Sequence, residues 1–216
     1  MMDEKVINYI ESITPKRSPL LEEMEQYAEE HHVPIMELVG IAALLGILSI
    51  QKPARILEIG TAIGYSALRM AEALPETEIT TIERDEERYN TAQDFLARSS
   101  HKGRIHTLLG DALELQAEVE KNGPFDAIFI DAAKGQYQKF FDLYAEMLSE
   151  NGIVYSDNVL FKGLVAEDEV EQKRIRNMVK KLQKYNAWLM SHDEYETSIL
   201  PVGDGIAISK KRGERK

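Results

Sequence analysis

The sequence predicts an α/β fold: a parallel sheet with helices on both faces, a helical preface before it and an antiparallel hairpin at its end. Three observations predict it. From Arg55 onward, short apolar runs alternate with longer amphipathic ones, the pattern of strand–helix–strand units. The apolar runs read as continuous rather than alternating, as strands buried on both faces do. The chain then ends on two strand-like runs joined by Gly203-Asp-Gly205, and so short a connection makes an antiparallel pair.

Taken in order, residues 3–12 read as a short helix, broken by Thr14-Pro15-Lys-Arg-Ser-Pro19. Ser18 can cap a second helix, with Pro19 at its first position and Leu20, Leu21, Met24 and Tyr27 on its apolar side. His31-His-Val-Pro34 interrupts it, and a strongly apolar third helix follows at 35–50. Strands read at 55–59, 78–83, 104–109, 125–131 and 151–156, with helices between them at 65–74, 85–98, 111–120 and 136–148. Residues 156–167 read as a loop, 167–187 as a long polar helix, and 197–202 and 206–210 as the hairpin. No repeat, low-complexity linker or second domain is visible, so 1–216 reads as one domain with a preface over 1–50 and a core over 55–210.

The composition is that of a globular protein, 44% hydrophobic and 29% charged over 216 residues. The absence of cysteine removes disulfides and thiolate metal sites. No apolar run has membrane-spanning length and no signal core stands near the start, so the expectation is a cytoplasmic protein with no membrane partner. A net charge of −11 disfavours non-specific nucleic-acid binding by the surface as a whole, while leaving room for a local basic patch.

Arg55-Ile-Leu-Glu-Ile-Gly-Thr-Ala-Ile-Gly-Tyr-Ser66 organises the core. It runs from a buried strand through Gly60 and Gly64 into a helix, which leaves backbone N–H groups free to cradle a nucleotide-like ligand. The middle glycine of the dinucleotide fingerprint is replaced by Ala62, which breaks the diphosphate pattern and argues against a nicotinamide-dependent oxidoreductase. Glu58 inside the motif and Glu83 at the end of the next strand suit a ligand with ribose hydroxyls and a positive charge. S-adenosyl-L-methionine is such a ligand.

Ligands of an open α/β sheet sit beyond the carboxyl ends of its strands. There the strands deliver Glu58 and Gly60, Glu83, Gly110-Asp111-Ala112, Asp131-Ala-Ala-Lys134 and Asp157-Asn158. Asp131, Asp157 and Asn158 follow two adjacent strands and offer three hard oxygens, the donor type that Mg²⁺ takes. The plainer reading makes Asp131 a helix cap and Asp157-Asn158 a turn. Lys134, three residues beyond Asp131, is disfavoured in its charged form beside a divalent cation, which makes it a candidate general base; alone it would be a solvated surface lysine. His31-His32 reads as a helix end rather than a metal site. Lys173, Arg174, Arg176, Lys180, Lys181 and Lys184 form a basic helix segment, Lys210, Lys211, Arg212, Arg215 and Lys216 a C-terminal cluster, and Lys16-Arg17 a smaller one, the patches that phosphate contacts need.

A parallel sheet ending in an antiparallel hairpin resembles the class I methyltransferase (Rossmann-like) fold. Glu58-Ile-Gly-Thr-Ala-Ile-Gly-Tyr-Ser66, Gly110-Asp-Ala112, Asp131-Ala-Ala-Lys134 and Asp157-Asn158 resemble the metal-dependent O-methyltransferases of the catechol and caffeoyl-CoA type, over nearly the whole chain. More narrowly, His31-His-Val-Pro-Ile-Met36, Asp131-Ala-Ala-Lys-Gly-Gln-Tyr137, residues 157–167 and Pro201-Val-Gly-Asp-Gly-Ile-Ala207 are similar to bacterial tRNA 5-hydroxyuridine methyltransferases, which make 5-methoxyuridine at the wobble position.

The resemblance implies a role for each position. Glu83 would hold the cofactor ribose, Gly60 and Ser66 would line its amino-acid end, and Asp111 and Ala112 would face its adenine, with Met36 closing over it and Glu58 also among the cofactor-binding residues. Asp131, Asp157 and Asn158 would ligate Mg²⁺, with Asp131 also near the methionine portion, and Lys134 would be the catalytic lysine. It further implies a homodimer and, on the narrower reading, a tRNA anticodon loop as partner. Catechol enzymes carry an aromatic after the first metal aspartate; Ala132-Ala133 stands here, opening the substrate mouth. A catechol and 5-hydroxyuridine both present two adjacent oxygens to a cation, so the site alone leaves both substrates open.

Overall fold

The computed structural model describes residues 4–213. Asp3 of the first expected helix and Arg215 and Lys216 of the C-terminal basic cluster lie outside the described residues.

The preface consists of α1 (Glu4–Ile13), α2 (Pro19–Glu30) and α3 (Leu38–Gln51). Pro19 opens α2 as expected, but Ser18 does not cap it through its side chain. Its hydroxyl instead donates to Glu72 at 2.9 Å, and the free N–H of Glu22 bonds the Ser18 carbonyl. His31 ends α2: its N–H reaches the Tyr27 carbonyl and its ring stacks on Tyr27 at 3.9 Å.

The core then alternates β1 (Arg55–Ile59), α4 (Tyr65–Ala73), β2 (Glu78–Glu83), α5 (Glu86–Ala97), β3 (Ile105–Leu109), α6 (Gln116–Glu120), β4 (Phe125–Ile130), α7 (Tyr137–Tyr144) and β5 (Leu148–Ser156). It closes with α8 (Lys173–Met190), β6 (Tyr195–Leu200) and β7 (Ile206–Lys211). The seven strands form one sheet in the order β3-β2-β1-β4-β5-β7-β6. Its first five strands are parallel, and β7 pairs antiparallel with both β5 and β6.

Several boundaries differ from the sequence expectation, among them the third helix, which starts at Leu38 rather than 35, β5, which starts at Leu148 rather than 151, and β6, which spans Tyr195–Leu200 rather than 197–202. The helix expected at 111–120 shrinks to α6, because the Asp111 carboxylate accepts the Leu113 N–H at 2.9 Å and holds 111–114 as a turn. The polar helix begins at Lys173 rather than 167, with Gln172 at its N-cap in extended backbone. The helix expected at 136–148 is α7 followed by a single 3₁₀ turn over Ala145–Met147.

Successive residues of a strand face opposite sides, and β1 shows it. Ile56 joins the apolar layer formed with α2, α3 and α4, whereas Leu57 and Ile59 join the layer formed with α7 and α8. Glu58 therefore shares the Ile56 side, toward α4. Among the described residues no helix is long and apolar enough to cross a membrane.

Leu44 of α3 is fully buried in the first layer. Leu44→Ala should cost about 3 kcal/mol, the transfer loss plus an unfilled cavity, read as a lower urea midpoint at unchanged slope.

Candidate functional site

A cavity of about 570 Å³ opens at the carboxyl edge of the parallel strands, a size suited to a cofactor-scale ligand. Its floor is the β1–α4 turn. Gly60 has φ +109°, and a Cβ there would lie 2.0 Å from the Asp131 carbonyl oxygen, so only glycine lets the ends of β1 and β4 come this close. Ala62 holds the left-handed region at φ +47°, a strained setting for a residue with a side chain. It is stabilised by its N–H, which donates to Glu83 Oε2 at 2.8 Å. The other oxygen of Glu83 accepts the N–H groups of Arg84 and Asp85, both at 2.9 Å. The carboxylate that ends β2 is thus fixed by three backbone donors, and Oε2, which takes only one of them, keeps a free lone pair.

Of the residues singled out in the sequence, Met36, Gly60, Ser66, Glu83, Asp111, Ala112, Asp131, Lys134, Asp157 and Asn158 all line this one cavity. Glu58 does not. It is fully buried beneath the floor, where its carboxyl accepts hydrogen bonds from Ser66 and Thr81. A ligand would therefore meet Glu58 through the Ser66 hydroxyl and through its charge, not by direct contact.

The acidic end of the site follows from register. Ile130 of β4 is paired with Ser156 of β5, so Asp131 and Asp157 stand next to one another one step beyond, with the Asp157 N–H bonded to the Ile130 carbonyl at 3.0 Å. Asn158 takes φ +54°, and its amide donates to Asp157 Oδ2 at 3.0 Å. Its Oδ1 accepts Lys134 Nζ at 2.7 Å. Burial raises the carboxyls of both Asp131 and Asp157 above the usual range, and for Asp157 the neighbouring Asp131 adds to it. Lys134 works against both shifts. The Tyr137 hydroxyl, buried in the field of the same two carboxylates, has no hydrogen-bond partner among the described residues.

Among the described residues no three His, Cys, Asp or Glu side chains gather as a metal cluster; the third donor here is an amide. Two buried, mutually repelling carboxylates beside an amide oxygen are nevertheless a hard-oxygen set, and a divalent cation would relieve the repulsion. The residues fit Mg²⁺.

The sequence reading missed Asp204. Gly203-Asp-Gly205 reads in the sequence as the hairpin turn and as part of the similar segment 201–207, with no role for Asp204, yet Asp204 lines the cavity and its charge adds to the rise at Asp131 and Asp157. Topology held the signal: β7 runs antiparallel beside β5, with Ser156 paired to Ala207, so the turn before β7 must land at the carboxyl edge. Asp204 also fixes the neighbouring loop, its carbonyl accepting the Leu160 N–H at 2.9 Å and its carboxylate the Lys162 N–H at 3.2 Å. Pro34 to Glu37 and Gly40 of the preface complete the wall.

The family model for O-methyltransferases matches residues 11–212. The caffeoyl-CoA O-methyltransferase of Stellaria longipes is 30% identical over 98% of this chain and 92% of its own. A Staphylococcus aureus structure assigned as a caffeoyl-CoA O-methyltransferase superposes with a TM-score of 0.91 at 36% identity, covering 97% of this chain and 100% of its own. An SAH-bound methyltransferase of Podospora anserina superposes with a TM-score of 0.85 at 25% identity, covering 97% and 95%.

Burial pushes the Glu58 carboxyl up to about 7, against hydrogen bonds from Ser66 and Thr81 that oppose the shift. The folded chain thus keeps a proton that the unfolded chain releases near the ordinary value of 4.5, so this contribution to stability is full at acid pH and is lost as pH rises through about 7. Glu58→Gln removes the titration. Urea unfolding at pH 5 and pH 8 should show the wild type losing roughly 2–3 kcal/mol more than the variant across that interval.

Proposed function

The chain belongs to the O-methyltransferase family of the caffeoyl-CoA type, and from that premise we propose that it moves a methyl group from S-adenosyl-L-methionine to a substrate hydroxyl, with Lys134 as general base. The observation that carries this reading is the chain of contacts from Lys134 through Asn158 to Asp157, beside Asp131 and at the edge of the same cavity as Glu83.

S-adenosyl-L-methionine supplies an activated methyl on a positively charged sulfur. Glu83, fixed by its three N–H donors, is set to accept the ribose hydroxyls. Asp111 and Ala112 flank the adenine position, and Met36, Gly60 and Ser66 enclose the methionine end. Buried Glu58 and Asp131 favour the positive charge. Mg²⁺ held by Asp131, Asp157 and Asn158 would supply Lewis acidity toward a hydroxyl. Lys134, at the cavity edge and hydrogen-bonded to Asn158, would take the substrate hydroxyl proton as its neutral amine and become the ammonium. The oxygen then attacks the methyl carbon in line while the carbon–sulfur bond breaks toward sulfur.

For the substrate we propose 5-hydroxyuridine at the tRNA wobble position, giving 5-methoxyuridine, with the anticodon loop entering the mouth that Ala132 and Ala133 leave open. The basic face of α8 beside the mouth supports it. A small catechol or caffeoyl-CoA-like substrate is the second reading, and the Stellaria relative supports that one. We further propose that two copies pair through α1 and α3. Tyr9 is 64% and Ile50 85% exposed, although α3 is apolar on every side, a composition that belongs in a buried setting.

Substrate competition, variant kinetics and sedimentation test these readings. With hydroxylated tRNA and catechol as competing substrates, transfer to the tRNA is expected; transfer to catechol alone would end the RNA reading. Asp157→Ala and Lys134→Met should each cut turnover by about a hundredfold or more while cofactor binding by calorimetry persists, and a chelator should inactivate the wild type but add nothing to Asp157→Ala. Sedimentation should give twice the chain mass for the wild type and the single mass for Tyr9→Asp with Ile50→Asp; a monomeric wild type removes the pairing.

A further inference from the structure

Helix α8 carries Lys173, Arg174, Arg176, Lys180, Lys181 and Lys184 and no carboxylate. At about 100° per residue these six fall within one arc of about 160°, opposite the buried Val179, Leu182, Tyr185 and Leu189. All six are exposed, and between Lys173 and Lys184 the arc holds no apolar residue. Among the described residues none of the six enters an ion pair, whereas Arg17 and Arg98 elsewhere are each bound to a glutamate. The side chains of the six donate no hydrogen bond either, whereas Arg104 is committed to three backbone carbonyls. Like charges at i and i+4, as in Arg176–Lys180 and Lys180–Lys184, destabilise a helix. On a chain of net charge −11, this cationic face is a local exception, which water and salt ions alone can solvate and from which a polyanion would displace them.

Its position says which. α8 packs against both the turn Lys134–Gln136 and the segment Phe161–Ala166, the two pieces that carry Lys134 and Lys162 at the cavity. A side chain at Gly135 would meet Lys181 Nζ at 3.0 Å, so that ammonium lies on the backbone next to Lys134. In all, the basic face spans about 16 Å of the helix from Lys173 to Lys184, with Lys181 near one end, long enough to meet more than one phosphate of a nucleic-acid strand. It lacks the apolar side chains that an interfacial helix inserts into lipid.

Resting on the RNA reading above, we propose that the exposed face of α8 is a track for the phosphate backbone of an RNA substrate, setting RNA affinity without entering the chemistry. Lys181 joins the track to the mouth. Lys173, Lys180 and Lys184 contribute affinity that is independent of sequence and sensitive to salt.

The test replaces those three lysines, none of which lines the cavity, with glutamine, and in a second variant with arginine. In filter binding, the glutamine variant should lose about tenfold or more in tRNA affinity and about two from the slope of log affinity against log salt, at about 0.7 per phosphate contact on a single strand. Cofactor binding, thermal midpoint and turnover on a phosphate-free substrate (catechol or the free nucleoside) should stay unchanged, and the arginine variant should bind tRNA as the wild type does. Unchanged tRNA affinity and salt slope in the folded glutamine variant would overturn the track, as would equal losses on both substrate types. Loss of binding to phosphatidylserine vesicles with tRNA binding intact would also overturn it, in favour of a lipid surface. Binding is read separately from methylation. A wild type that methylates tRNA while the variant binds normally sinks the track alone. One that binds tRNA through these lysines but methylates only catechol sinks the RNA methylation reading and keeps the track.

Discussion

The approach of the Gly60 backbone to the Asp131 carbonyl is the constraint on which the site rests. Two adjacent strands end in contact there, with no room for a side chain between them. The Asp131 N–H returns to the Ile59 carbonyl at 3.0 Å, so the turn that cradles one ligand and the aspartate that begins the acidic corner belong to one rigid piece of backbone. Asp157 follows from Asp131 by strand register, and Asn158 and Lys134 follow from Asp157 by hydrogen bonds. A donor seated in the turn and an acceptor seated at the corner would be aligned by main-chain geometry, which is stiffer than any side-chain arrangement and suits a reaction that demands in-line approach.

The same corner concentrates negative charge that the fold does not itself neutralise. Glu58, Asp131 and Asp157 each sit where burial resists ionisation, and Asp204 adds its field from the hairpin turn. Such a set opposes folding at neutral pH. A purely structural role would not retain it, because apolar residues of similar volume would pack there without that burden. Lys134 offsets part of it, and cationic ligands would offset the rest.

The strands were legible because short runs rich in isoleucine and threonine, set between helical segments, mark buried strands: β1 and β2 have the bounds that residues 55–59 and 78–83 suggest. Carboxyl-edge residues were legible for the same reason, since a strand end fixes where the next side chains go. What stayed hidden depended on contacts between distant segments. Ser18 looks like a cap until Glu72 is brought against it. Asp111 looks like a helix start until its own carboxylate captures the backbone. Glu58 looks like a ligand contact until the alternation of β1 places it below the floor with Thr81. Asp204 sits in a turn of ordinary composition and acquires meaning only from the strand that follows.

The hairpin turn has a further consequence through Gly203. A Cβ there would lie 3.1 Å from the Gly40 Cα, so a glycine from the last seventh of the chain rests on a glycine of the third helix, and both border the cavity. The vessel is therefore closed by segments more than 160 positions apart. The β1–α4 cradle precedes the hairpin along the chain, so docking of the preface against the hairpin turn, and not the cradle alone, completes the rim.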